Sequence, residues 1–204
     1  MKKTEFIKIV APYIMREGKK RGYKIYSPII AQAIIESNWG QSGLAEYNNF
    51  FGMKCGSKWK GKSVNMKTRE EYTPGTLTTI KDNFRAYDSI EDGIKGYFDF
   101  ISTSRYENLK KSRTPYEYCL NLKNDGYATS SKYVNTLMNT INKHELYLYD
   151  DVSRETPLPI EQVAMEVIDG KWGDGIDRKN RLHAYGYDYA EVQKLVNEIV
   201  KGQR

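Results

Sequence analysis

Glu36 is the residue on which chemistry can be argued first. It sits within the run Ser27–Gly43, SPIIAQAIIESNWGQSG. Ser27 suits a helix N-cap, and Pro28 suits the first helical position, where its missing N–H costs nothing. Ile29, Ile30, Ala31, Ala33, Ile34 and Ile35 follow, with only Gln32 and Glu36 polar among them. A helix this apolar on nearly every side belongs in a core. Gln32 and Glu36 are four apart and share one face. Gly40 and Gly43 mark the expected stop. Glu36 then lies in the last turn, near the partial negative charge of the helix end, where dipole and burial both raise a carboxyl pKa. An acid that stays protonated near neutral pH is what a general acid requires. The same spacing also fits a glutamate that only reaches solvent from a helix end.

Other reactive side chains are sparse. Cys55 and Cys119 are the two cysteines, and His144 and His183 the two histidines, each pair far apart. They form neither a disulfide framework nor a zinc-ligand spacing, so no metal or cofactor is expected. Residues 1–150 carry a net charge of +8 and residues 151–204 a net of −2. A basic body suits a polyanionic surface. The lysines are scattered and form no nucleic-acid-binding motif, so nucleic acid is not expected as a partner. No apolar run nears the ~20 residues that span a bilayer, so membrane insertion is not expected either. The basic start MKKTEFIKIV is interrupted by Glu5 and Lys8, and reads as an amphipathic helix rather than a signal peptide.

The elements that must position Glu36 follow from periodicity. Phe6, Ile7, Val10 and Ile14 give an outer helix over residues 4–20. Residues 43–56 read as a loop rich in Asn, Gly and aromatics. Pro74-Gly75 is a turn between β-prone runs, giving a hairpin of roughly residues 62–73 and 76–86. Alternation places Val64, Met66, Thr68 and Glu70 on one face and Glu71 on the other. Ser89 with Asp92, and Thr114-Pro115-Tyr116-Glu117, are capping patterns that open two further helices. Another helix is expected over residues 131–144. The charged, proline-containing stretch DDVSRETPLP reads as a linker. Beyond it, residues 160–200 hold three short helical patterns, the last capped by Asp188 and Glu191.

Several of these segments carry a resemblance. AQAIIESNWG (31–40), NNFFGMK (48–54), TREE (68–71), FRAYDS (84–89) and GYATSSKY (126–133) occur in this order. Together they make residues 27–133 similar to the glucosaminidases of bacterial and phage cell walls, glycoside hydrolase family 73. The resemblance implies an α+β lysozyme-like fold, mostly helical with a small β-hairpin lobe. It implies cleavage of N-acetylglucosaminyl β-1,4 bonds of peptidoglycan, with Glu36 as general acid. It implies a second carboxylate on the hairpin, which the family's Thr-x-Glu pattern places at Glu70. Glu71 is an additional residue before Tyr72 and stands as the substitute. Tyr127 and Tyr133 match the GYAT…Y motif and are expected along the substrate cleft. For Phe50, Phe84 and Trp39 core packing is expected, and Asn48 and Asn49 are expected to fix their loop.

Residues 160–200 resemble the CW-seven cell-wall-binding repeat, through EVIDGKWGDGIDRKNRLHAYGYDYAEVQKLVN. This implies a three-helix bundle that binds muropeptide, with Arg181 as a ligand contact and Trp172, Leu182 and Tyr187 near it. The organisation expected is a catalytic domain over residues 1–149, a linker over 150–158 and a wall-binding module over 159–204. The function expected is a peptidoglycan hydrolase of endolysin type, acting on glycan strands and muropeptide. It would be made in the cytoplasm and released through a holin-type pore; a secreted autolysin is the other route. A muramidase, a lytic transglycosylase and a non-catalytic wall-binding protein are the alternatives.

Overall fold

The computed structural model describes residues 3–73, 76–151 and 159–202, without the side chains of Thr4, residues 69–73, 76 and 77, Asp177, Asn180 and Ala184. The chain divides into two compact units, Met1–Arg21 with Ile29–Arg105, and Gly22–Pro28 with Tyr106–Arg204.

The first unit is built on helices α1 (Lys3–Lys20) and α2 (Ser27–Glu36), the hairpin β1 (Ser63–Thr73) and β2 (Thr76–Arg85), and helix α3 (Ile90–Ile101). The apolar stripe of α1 is buried at Phe6, Val10 and Ile14, as its spacing predicts. α1 packs against α3, which buries Ile94, Tyr97 and Phe98. Ile29, Ile30, Ala31, Ala33 and Ile34 of α2 are all fully or almost fully buried, so the greasy helix is a core helix. Gln32, the polar residue inside it, is fully buried and accepts a hydrogen bond from the Tyr97 hydroxyl, which meets the requirement that buried polar groups be paired. Tyr97 also stacks on Phe51, with ring centroids 3.9 Å apart. Phe50 and Phe84 are buried, as expected. Arg21 closes the back of this unit, bonding Glu17 at 2.8 Å and Asp99 at 2.7 Å.

The hairpin pairs Ser63 with Arg85 and continues in antiparallel register to Glu71 opposite Leu77. The register is irregular between Glu71 and Thr73, so the additional residue seen in the sequence is absorbed as a local bulge, while Pro74 and Gly75, read as the turn, lie outside the described residues. The segment read as a loop from residue 43 begins with a 3-10 turn, Gly43–Tyr47, which sequence periodicity does not detect because it is too short.

The second unit contains a 3-10 segment (Ser104–Lys111) with its core residues Tyr106 and Leu109, then α4 (Pro115–Asn124), α5 (Tyr133–Lys143), α6 (Ile160–Ile168), α7 (Gly175–Ala184) and α8 (Tyr189–Gly202). The predicted caps form. Thr114 Oγ1 accepts from Glu117 N at 3.0 Å, and Asp188 Oδ1 accepts from Glu191 N at 2.8 Å. α4 packs on α5, and α7 contacts both. α6, α7 and α8 form the expected three-helix bundle around Val163, Ala164, Val167, Trp172, Leu182, Val192 and Val196. Trp172 and Leu182 are thus core residues. Most of the stretch read as a linker, residues 152–158, lies outside the described residues. Its first residue, Asp150, is tied down. Asp150 Oδ1 accepts from Tyr26 N at 2.6 Å and Ser27 N at 2.7 Å, and Oδ2 accepts from Ser27 Oγ at 2.8 Å. Ser27 therefore does not act as the isolated cap its sequence position suggests. The backbone N–H of Ser27, the first residue of α2, is satisfied by a carboxylate 123 residues away.

Candidate active site

Glu36 is the last residue of α2. The helix stops there and not at Gly40, because Asn38 takes the left-handed conformation (φ 47°) that ends it. Asn38 N donates to Ile35 O at 3.3 Å and Trp39 N to Ile34 O at 2.9 Å, the paired bonds of a Schellman motif. Trp39 (φ 61°) and Gly40 (φ 70°) continue in the same region. A bulky side chain at positive φ is unusual, and such strain persists only where neighbours over-determine it. Here they do. Ser37 Oγ donates to Ala33 O at 2.5 Å and accepts from Gly40 N at 2.8 Å, and Ser42 N donates to Ser37 O at 2.8 Å. The Trp39 ring meets Phe6 edge to face at 6.5 Å and lies under Lys3 Nζ at 5.3 Å. The backbone that follows Glu36 is thereby locked.

A test of the lock is Asn38. Asn38→Gly should be tolerated, whereas Asn38→Val, β-branched at positive φ, should cost about 1–2 kcal/mol of stability in denaturant unfolding.

Glu36 itself keeps access to solvent. The protein packed around its carboxyl group still pushes its pKa up from the usual 4.5, with burial as the cause. The predicted direction holds, and desolvation carries it. A loop approaches from the other side: a Cβ placed on Gly52 (φ 63°) would lie 3.9 Å from Glu36 Oε2. Asn49 holds that loop. It is almost fully buried, its Nδ2 donates to Met53 O at 2.9 Å and Arg85 O at 2.8 Å, and its Oδ1 accepts from Met53 N at 2.8 Å. Asn48 Nδ2 donates to Tyr87 O at 3.0 Å. Both asparagines fix the loop, as the sequence suggests, and Asn49 ties it to the foot of the hairpin. The backbone of Glu70 lies in β1 opposite Thr78. The side chains of Glu70 and Glu71 lie outside the described residues.

Tyr127, Tyr133 and Arg181 belong to the second unit. α4 ends in its own Schellman motif, with Gly126 (φ 77°) as the left-handed residue and Tyr127 N donating to Leu122 O at 3.1 Å. This aims the Tyr127 ring onto Tyr133, stacked at 6.1 Å with 23° between planes, and edge-on to Tyr106 at 6.4 Å. Tyr127 is half-buried and Tyr133 buried, so most of the Tyr133 ring is spent on packing. Arg181 is elsewhere in the same unit. Its guanidinium lies 4.3 Å from the centroid of Tyr116, and its Nη1 donates to Lys171 O at 3.4 Å. Tyr116 and Asp150 are the residues sequence reasoning missed. Tyr116 was legible only as the middle of a capping pattern, and Asp150 only as part of a charged stretch. Among the described residues there is no cluster of His, Cys, Asp or Glu able to hold a metal, and no helix long and apolar enough to cross a membrane.

Residues 11–146 match the glucosaminidase family, described as mannosyl-glycoprotein endo-beta-N-acetylglucosaminidase, and residues 161–200 match the CW_7 repeat. The chain is similar to the exo-glucosaminidase LytG of Bacillus subtilis, 32% identical over 186 residues that cover 85% of this chain and 64% of LytG. It is similar to the peptidoglycan hydrolase FlgJ of Pseudomonas aeruginosa, 29% identical over 150 residues, 70% of this chain and 37% of FlgJ. The chain thus spans from about a third to about two thirds of these relatives' lengths. The crystal structure of the catalytic domain of the autolysin Auto from Listeria monocytogenes is similar at a TM-score of 0.62 and 30% identity, covering 72% of this chain and 87% of that one. The likeness agrees with the expected lysozyme-like α+β fold, mostly helical with one small hairpin. Glu36, its locked helix end and the hairpin all fall inside the matched segment, and the chain belongs to the glucosaminidase family, glycoside hydrolase family 73, with a CW_7 repeat following.

Proposed function

We propose that the chain is a peptidoglycan hydrolase that cleaves N-acetylglucosaminyl β-1,4 bonds with Glu36 as general acid. The observation that carries the reading is a solvent-accessible carboxyl group whose pKa burial raises, set at the end of a core helix whose following turn is locked. A protonated Glu36 donates its proton to the glycosidic oxygen as the C1–O bond breaks, so the aglycone leaves as an alcohol, Glu36 remains as a carboxylate, and water then adds to C1. Glu70, on β1, is the carboxylate proposed to stabilise the developing positive charge or to activate water, with Glu71 its substitute. Tyr127 offers a partly open aromatic face for a sugar ring. The relatives' names, a peptidoglycan hydrolase and an exo-glucosaminidase, support the substrate class. A catalytic segment joined to a wall-binding repeat suits an endolysin-type enzyme held at its substrate by that repeat.

Mass spectrometry of digested walls tests the bond. N-acetylglucosamine at the new reducing end is the expected product. N-acetylmuramic acid there would mean a muramidase, and an anhydro-muramic end a lytic transglycosylase. Removal of residues 151–204 should weaken sedimentation with purified walls. Because α7 packs on α4 and α5, it should also lower the unfolding temperature.

A further inference from the structure

A pocket of about 630 Å³ lies between α4 and the α6–α7 region. That is the size of a site for one or two sugar rings. Its walls come from both family segments: Arg113, Tyr116 and Glu117 from the glucosaminidase side, and Trp172, Arg181 and Tyr185 from the repeat. We propose that this pocket is one composite binding site for a carboxylate-bearing saccharide of the wall, complete only when α4 and the repeat are together. The proposal deepens the wall-binding reading above and rests on it. What is new is that α4 supplies half the site.

The chemistry follows from what each wall offers. Trp172 meets Tyr185 edge to face at 5.2 Å, which fixes a rigid aromatic corner, and Tyr116 faces it from α4. Flat apolar faces of pyranose rings stack on such surfaces. The acids of the pocket are already engaged: Glu166 Oε2 accepts from Trp172 Nε1 at 3.0 Å, and Glu117 Oε2 accepts from Arg113 N at 2.8 Å. The cations have donors to spare. The Arg181 guanidinium carbon lies 4.3 Å from the centroid of the Tyr116 ring, and its Nε is buried with no hydrogen-bond partner among the described residues. A buried donor without a partner calls for an acceptor, and a guanidinium fork suits a carboxylate. Arg113 is exposed at the pocket's edge. Burial raises the pKa of the Tyr185 hydroxyl, and around it the charges of Glu117 on α4 and Arg113 just before α4 meet those of Arg181 and Glu166 from the repeat. The Tyr116–Arg181 contact joins the halves and orients the guanidinium, which an isolated repeat could not do.

The experiment titrates the full chain with N-acetylmuramic acid and with N-acetylglucosamine, which lacks the lactyl carboxylate, following ligand-observed NMR. The acid should bind roughly tenfold more tightly, the value of one charge-assisted pair. Arg181→Gln, which removes the unpartnered donor, should erase that preference. Tyr116→Ala should weaken both sugars about tenfold, and Tyr116→Phe, which keeps the ring, should retain binding. Equal binding of the two sugars by the native chain, absence of binding, or indifference to both Arg181→Gln and Tyr116→Ala would overturn the proposal. Wall sedimentation separates the two readings. If the native chain fails to sediment with walls, the wall-binding reading fails. If it sediments and neither variant weakens it, the composite site alone fails.

Discussion

Glu36→Gln should reduce wall lysis by about 10²–10⁴-fold, the usual contribution of a positioned general acid, while the fold stays intact. Glutamine keeps the length and shape of the side chain, so the end of α2 and the loop carrying Gly52 have no reason to move. It cannot give up a proton to a leaving oxygen. Because burial opposes ionisation of Glu36, the neutral replacement should leave the unfolding temperature equal or slightly higher. A variant that still clears a wall suspension at the native rate would remove Glu36 from the role. A variant that unfolds would show that the carboxyl group is structural.

The pH dependence of the native enzyme follows from the same group. On the proposed mechanism the acid form of Glu36 is the active one. Its pKa is raised from 4.5, so activity should persist above that pH and fall as pH rises through the shifted value. The direction is set by burial, so opening the loop should move the fall toward lower pH. Asn49→Ala, which releases the loop from Met53 and Arg85, is the variant in which to look for that displacement.

How legible this was in the sequence depends on the range of the interactions. The core helix, the paired strands of the hairpin and the caps at Thr114 and Asp188 are local: they need only neighbours within one helical turn or one strand pair, and the sequence displays them. Glu36 was legible because a lone acid in an otherwise apolar helix has few reasons to be there. The end of that helix was misplaced by two residues. Glycine at position 40 is the stronger signal on propensity, yet Asn38 takes the left-handed turn, and Ser37, through its hydroxyl, decides the geometry. The motif singles out Arg181, but its contact with the Tyr116 ring joins residues 65 apart in sequence and has no local trace. The same is true of Asp150.

Asp150→Ala should destabilise the protein by roughly 3 kcal/mol near pH 5, because it strips the acceptor from three donors, Tyr26 N, Ser27 N and Ser27 Oγ. Tyr26 and Ser27 are buried, so water cannot readily replace the lost partner. The cost should be smaller at pH 7, and the sign of that difference tests the electrostatics. Burial raises the Asp150 pKa from 3.8 to about 6, against the hydrogen bonds from Ser27 and Tyr26, which lower it. The folded state therefore takes up this proton more readily than the unfolded chain. Native stability gains from the group as pH falls through about 6, and the gain levels off below 3.8. Between pH 7 and pH 5 the gain is on the order of 1 kcal/mol. Asp150→Asn separates charge from hydrogen bonding. Its carbonyl still accepts from the start of α2, while its amide does not titrate, so urea unfolding across this range should lose that share of the slope without the full cost of alanine. If the native protein and Asp150→Asn show the same slope, the carboxylate is not desolvated at the helix start, and the three hydrogen bonds outweigh burial there. Because Asp150 anchors the beginning of the helix that ends at Glu36, Asp150→Ala should also lower lytic activity at temperatures where the fold persists.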